Sequence, residues 1–280
     1  MRQYRRLLVE AGQASPPGIA SLINKILDQN LGNVPVSSLD VGCGLGTQMQ
    51  RLKSFSKERY KKTTGLDWSP ATVKMHSSTD IYDDVKLADS SALPFEDKQF
   101  DLSISMENLE HLYGNLSVES LKEMARVSNY IVISTPLPHQ VINFSFLKDE
   151  LLAANLDKLP LTLHDYVCLE SAIHKSTLFP SSLTDAGFVR LESNHGVYFG
   201  ESRKIDFEKI ISLGIEDDEN ELDSLSPEDL KKRYIDLLVK SASLHDRIVS
   251  HDAFSFEKSA LSGLDYRRLL KLFIPPIFLK

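Results

Sequence analysis

The feature that most constrains this chain is the run Ser38-Leu39-Asp40-Val41-Gly42-Cys43-Gly44-Leu45-Gly46-Thr47. A short apolar stretch runs into three glycines on alternate positions, and helix-forming residues follow from Met49. A strand that ends in such a turn and continues as a helix opens a βαβ unit. Glycine takes positive φ without steric cost and lets a ligand approach the backbone closely. The spacing narrows the ligand. A dinucleotide fingerprint needs G-x-G-x-x-G, whereas Gly42-x-Gly44-x-Gly46 brings the third glycine one position early. The sequence has no G-x-x-x-x-G-K-[ST], which excludes a P-loop.

The same alternation of strand and helix extends on both sides of the turn. Strands are expected at 34–41, 63–67, 85–88, 100–105 and 130–134. Between them lie amphipathic stretches: one from Pro16-Pro17 through Leu27, then 49–60, a segment opening at Pro70, and 118–127. Alternating strands and helices predict an α/β fold, a parallel sheet with helices on both faces. A helix ending at 184–187 and two antiparallel strands, 189–193 and 197–202, would close the sheet around Asn194-His195-Gly196. Residues 136–173 are too long for a plain loop. They are expected to hold short helices such as 146–156 and to hang over the carboxyl edge of the sheet, where ligands of open α/β folds bind.

Beyond residue 203 the composition changes. Residues 216–223 are nearly all acidic and read as a solvated connector. Ser226-Pro227-Glu228 supplies an N-cap, a first-turn proline and an acid against the helix dipole. Leu230, Tyr234, Leu237, Leu238 and Ser241 then share one face. The expected organisation is an α/β domain over 1–203 and a helical extension over 204–280. The apolar, basic tail 264–280 is expected to dock on its own domain or on a second copy in a homodimer.

Charge limits the partners. The 280 residues carry 32 Lys+Arg against 39 Asp+Glu, a formal net charge of −7. That balance argues against non-specific binding to nucleic acid or an anionic membrane. No stretch approaches the roughly 20 apolar residues of a membrane span. Residues 1–10 are charged and lack the apolar run of a secretory signal. Cys43 and Cys168 are too few for a disulfide framework or a thiolate zinc site, which fits a reducing cytoplasm.

Two acids follow the glycine turn at informative places. Gly65-Leu66-Asp67 ends the second strand, and Ala88-Asp89-Ser90 follows the third. A carboxylate at the second strand's end has two acceptor oxygens and no donor, which suits a ribose diol. With D-x-G-x-G-x-G at 40–46, Leu93-Pro94-Phe95 and Phe100-Asp101-Leu102, the chain resembles class I S-adenosylmethionine-dependent methyltransferases over roughly residues 36–192. The resemblance implies a Rossmann-like, mostly parallel seven-stranded sheet with S-adenosylmethionine as cofactor. It places Asp40, Gly42, Gly44 and Gly46 at the cofactor turn and Asp67 on the ribose. Asp89 and Ser90 would lie at the adenine and Met106 at the end of the fourth strand. Trp68 reads as an adenine flank or as a core residue.

The segment Ser105-Met106-Glu107-Asn108-Leu109-Glu110-His111-Leu112 resembles the M-E-x-L-E-H run of ubiquinone-biosynthesis O-methyltransferases. It is also similar to the E-x-x-E-H run of small-RNA 2′-O-methyltransferases. Those resemblances imply a divalent cation on Glu107, Glu110, His111 and a later histidine, His174. Spacings of three and four put the first three on one face of a helical turn. Without metal, His111 is the candidate general base, beside Glu110, because an unperturbed imidazole titrates near neutral pH. His139 is an alternative base, more simply read as a solvated loop histidine. The expected activity is methyl transfer to a small molecule at oxygen, such as a sugar or glycan precursor or a quinone-type ring. RNA 2′-O-methylation and a non-catalytic module binding the cofactor or its product are the rivals.

Overall fold

The computed structural model describes residues 18–143, 170, 173–193, 195–216 and 224–255. The first half of the chain runs α1 (Ile19–Leu31), β1 (Ser37–Val41), α2 (Thr47–Phe55), β2 (Lys62–Asp67), α3 (Pro70–His76) and β3 (Asp84–Leu87). It continues with β4 (Phe100–Met106), α4 (Leu116–Val127), β5 (Ser128–Thr135) and α5 (Pro138–Asn143). Then follow β6 (Ser176–Leu178), α6 (Pro180–Asp185), β7 (Val189–Arg190), β8 (Gly196–Glu201), β9 (Ser212–Gly214) and α7 (Pro227–Ser250).

Seven strands form one sheet in the order β3-β2-β1-β4-β5-β8-β7. Strands β1 to β5 pair in parallel, while β8 is antiparallel to both β5 and β7. Period-two burial explains why the sheet carries a helical layer on each side. Leu102, Ile104, Val132, Val197 and Phe199 face Ile19, Ile23, Leu27, Met49 and Leu52. Leu39, Val41, Ile131, Ile133 and Tyr198 face the opposite way, against Leu121, Met124 and Leu183. The chain steps outward from β1 to β3 and then returns to β4 on the other side of β1. This reversal is a topological switch, the place where folds of this kind form a crevice at the carboxyl ends of their strands, here β1 and β4.

Local chemistry sets the element ends. Ser69 caps α3, its hydroxyl accepting from the Thr72 amide at 3.3 Å, with Pro70 in the first turn. Ser226 caps α7, accepting from the Asp229 amide at 3.1 Å, as its sequence predicts. Helix α2 ends at Phe55, short of the expected residue 60. Beyond the helix, Arg59 turns its buried guanidinium back to α1 and bonds Asn24, Asp28 and the Gly32 carbonyl. The Arg126-Val127-Ser128-Asn129-Tyr130 run has no room for a connector, and β5 starts directly where α4 stops.

The two-stranded sheet β6–β9 crosses the expected division at residue 203, since Ser176 pairs with Gly214. Helix α7 packs Tyr234, Leu237, Leu244 and Ile248 against Phe179, Ile215 and Phe254 beside that sheet. The expected helix at 146–156 and the tail 264–280 lie outside the described residues, as does most of the acidic run. No helix among the described residues is long and apolar enough to cross a membrane.

Ile104 is fully buried in the central strand. Ile104→Ala is expected to lower the unfolding free energy by about 2–5 kcal/mol in urea titrations, with an unchanged denaturant slope.

Candidate active site at the carboxyl edge of the sheet

Leaving β1, the Gly42 and Cys43 amides both donate to the Leu66 carbonyl at 2.9 Å, which folds the turn over the end of β2. Gly42, Gly44 and Gly46 have φ of 75°, 48° and 72°. They are not equivalent in their surroundings. A Cβ on Gly42 would lie 2.3 Å from Cγ of Asn108, whereas one on Gly44 would meet nothing within 4 Å. Gly44 therefore presents open backbone, the shape a cradle for a ligand requires.

The turn is braced by residues that sequence motifs did not reveal. Nε2 of buried His76 donates to the Gly44 carbonyl at 2.8 Å, and its Nδ1 lies 3.1 Å from the Thr79 hydroxyl. Tyr82 donates to Asp40 at 2.6 Å. Burial pushes the Asp40 carboxyl up to about 7, a shift that the Tyr82 hydrogen bond opposes and the nearby Asp67 increases. Burial also raises the Cys43 thiol, which disfavours its thiolate. His76 and Tyr82 each sit outside any recognisable motif, and only the fold brings them to the turn.

Asp67 stands at the end of β2 and accepts from the Gly44 and Ser69 amides, both at 2.9 Å. Burial raises its carboxyl, and those two amides work against the rise. Trp68 is 53% exposed, so it is a surface residue beside Asp67 and the core reading is corrected. Asp89 is exposed after β3 and accepts from the Ser91 amide and hydroxyl at 2.8 Å, while Ser90 is buried.

Across the crevice, Met106 ends β4 as a buried residue. The next residue, Glu107, has φ 53°, and the helical turn covers only Leu109–His111. The expected single face of Glu107, Glu110 and His111 does not form. Glu107 instead accepts from Nε2 of His195 at 2.7 Å. The group that converges is Glu110, His111 and His174, whose donor atoms all lie within 4.8 Å of one another. The His111 and His174 rings are 5.1 Å apart, centre to centre.

The electrostatics of this group favour neutral imidazoles. Burial, followed by the Lys175 charge, pushes His111 down to about 4. His111 is therefore displaced from the near-neutral range that a general base needs. Burial also holds His174 well below its usual range, helped by His111 and His195. Burial and the neighbouring Glu107 push Glu110 well up, and its buried Oε2 has no hydrogen-bond partner. Nδ1 of His111 donates to the Ile173 carbonyl at 3.2 Å, which leaves its Nε2 lone pair for a ligand. His139 is buried in α5 and lowered to about 4, chiefly by burial, so the solvated-loop reading is corrected.

His174 is fixed through its neighbour. The Lys175 amide donates to the Glu110 carbonyl at 2.7 Å, and the Ile215 amide donates to the Lys175 carbonyl at 2.7 Å. His195, read from sequence only as a hairpin residue, was the missed member of this edge. The signal lay in strand register, because Gly196 pairs with Thr135 at the end of β5.

Residues 39–129 match the family model described as a methyltransferase domain. No curated protein matches the chain. Among solved structures, a sugar N-methyltransferase from Streptoalloteichus is 18% identical, over 43% of this chain and 49% of that chain, with TM-score 0.37. An S-adenosylmethionine-dependent methyltransferase from Mesorhizobium loti is 20% identical, over 40% of this chain and 51% of that chain, with TM-score 0.33. The plantazolicin methyltransferase BpumL, in complex with S-adenosylhomocysteine, is 15% identical over 61% of this chain and 68% of that chain, with TM-score 0.39. The chain spans about half the length of the first two.

Two outcomes are expected from these contacts. Gly42→Ala, which adds strain and a clash with Asn108, should lower the melting temperature more than Gly44→Ala, which adds strain alone. For Asp40, the folded carboxyl binds its proton more tightly than the ordinary 3.8, up to about 7. Its contribution to stability therefore falls as pH rises between those values and is flat above them. In urea unfolding, Asp40→Asn should gain stability relative to wild type as pH climbs through that window.

Proposed function

We propose that this chain, whose residues 39–129 match a methyltransferase-domain family model, transfers a methyl group from S-adenosylmethionine to an oxygen of a small hydroxyl-bearing molecule. The observation that carries the reading is that two groups of side chains stand at the carboxyl edge of one sheet. An open glycine turn with Asp67 lies at the ends of β1 and β2, and Glu110, His111 and His174 cluster beyond β4.

The residues fit the cofactor. Gly44 leaves room that a side chain would fill, and Asp67 keeps carboxylate lone pairs beyond the two amides it accepts. Asp67 would hold the ribose hydroxyls, with Trp68, Asp89 and Ser90 along the adenine and Met106 near the transferred methyl. Bound S-adenosylmethionine supplies a methyl already activated on a sulfonium centre. Positioning of donor and acceptor then supplies much of the rate.

The acceptor side fits a divalent cation. Two neutral imidazoles and one carboxyl group, which would ionise on binding a cation, are a suitable donor set, and the unpartnered Oε2 of Glu110 is a buried oxygen in need of a partner. When bound, the cation would lower the pKa of the acceptor hydroxyl. The chain's own contribution is pre-organisation. The Ile173 carbonyl fixes the His111 tautomer, and burial keeps both histidines deprotonated and ready to ligate. A small hydroxyl-bearing acceptor, such as a sugar or quinone-type ring, suits a cation held on this cluster. The same cluster would suit a ribose 2′-hydroxyl of RNA, but the net charge of −7 disfavours that partner. The extension 204–280 is proposed to cover the acceptor side, to provide any homodimer contact, and to act with the rest of the chain in the cytoplasm.

Isothermal titration with S-adenosylhomocysteine is expected to show binding that Asp67→Ala weakens at least about tenfold. Unchanged affinity in the variant would refute the ribose role. Methyl transfer into fractionated metabolite pools should be lost on adding a chelator and in His174→Ala. Full activity in chelator would remove the cation from the scheme.

A further inference from the structure

Glu107 adopts a conformation that glutamate disfavours. Its φ of 53° lies in the left-handed region, where a side chain crowds its own backbone. Such a residue persists where its surroundings over-determine it. Here its amide donates to the Ser134 carbonyl at 3.1 Å, and its carboxylate accepts from Nε2 of His195 at 2.7 Å. The His195 and Glu107 side chains are only 6% and 10% exposed. His195 is itself anchored at the start of β8, where Gly196 pairs with Thr135. The hydrogen bond therefore ties the end of β4 to the β5–β8 pair.

What the turn at Glu107 delivers is Asn108. Its side chain occupies the space where a Cβ on Gly42 would stand, 2.3 Å from its Cγ. Its amide lies 3.5 Å from the Ser105 hydroxyl, which donates to the Val41 carbonyl at 3.1 Å. Asn108 thus rests on the glycine turn from the β4 side. Its position follows from the handedness of the preceding residue.

We propose that the Glu107–His195 hydrogen bond is a latch that holds this left-handed turn, so that Asn108 keeps the glycine turn in the shape that binds S-adenosylmethionine. Glu107 and His195 are positioning residues, acting through Asn108 and Gly42. The proposal rests on the reading of that turn as the S-adenosylmethionine site. It also gives Glu107 work other than holding a cation, since its Oε1 accepts from His195.

The test is calorimetric titration of the full chain with S-adenosylhomocysteine. E107A keeps the strain and loses the latch, so its affinity is expected to fall about five- to tenfold. E107G also loses the latch, but glycine takes this φ freely, and it should recover most of the affinity that E107A loses. H195L should behave as E107A does, and H195Q, which keeps an N–H donor, should recover. A merely structural role would lower the melting temperatures without producing this order of affinities. Wild-type affinity in E107A, or E107G as weak as E107A, would overturn the latch. If E107A does not fold, H195L against H195Q gives the same readout, and equal affinities overturn the proposal. Failure of wild type itself to bind would sink the methyltransferase reading and the latch together, a pattern distinct from binding that ignores the variants.

Discussion

The structure depends on strand β1 being paired on both sides, with β2 on one and β4 on the other. Asp40 lies opposite Gly65 in the first pairing and opposite Ile104 in the second. The chain reverses its direction of travel at this strand, so β1 and β4 are neighbours in space though separated in sequence. Their carboxyl ends therefore diverge into different connections and leave a crevice between them. The glycine turn leaves from one lip and the Met106–His111 segment from the other. Each functional group is placed by that parting, and the two apolar layers that flank the sheet hold it in register.

Burial then sets the chemistry at the crevice. Asp40 and Glu110 are carboxyls pushed up by desolvation, while His111, His139 and His174 are imidazoles pushed down by it. One physical cause acts in opposite directions on acids and bases, and it favours the neutral form in both. At the glycine turn this raises the proton affinity of Asp40. On the acceptor side it supplies imidazole lone pairs and leaves Glu110 in want of a partner. Tyr113, Glu170 and Arg233 reinforce this side. The Tyr113 hydroxyl donates to Glu170 at 2.8 Å, and Arg233 of α7 donates to that hydroxyl at 2.9 Å, next to the segment that carries His174.

Much of this was legible in the residues. The strand–turn–helix at 38–47, the acids at the ends of β2 and after β3, and the α/β alternation gave the parallel sheet and the closing antiparallel pair. Periodicity found the elements because the central strands β1, β4 and β5 are buried and the helices bury one face. What stayed hidden depends on contacts between distant segments. His76 and Tyr82 reach the glycine turn only through packing. Arg59, expected inside α2, lies beyond its end and bonds α1 instead. Glu107 was placed on a helical face by its spacing, yet its left-handed backbone turns it toward His195, a residue with no motif around it. The expected isolation of His139 failed for the same reason, since exposure is a property of the packed chain.

The most direct measurement of the central claim is a crystal structure of the full chain with S-adenosylhomocysteine and a divalent cation. The account predicts the nucleoside on the glycine turn with its ribose hydroxyls on Asp67, and the cation on Glu110, His111 and His174. A ligand bound elsewhere, or a ribose that leaves Asp67 uncontacted, would contradict it.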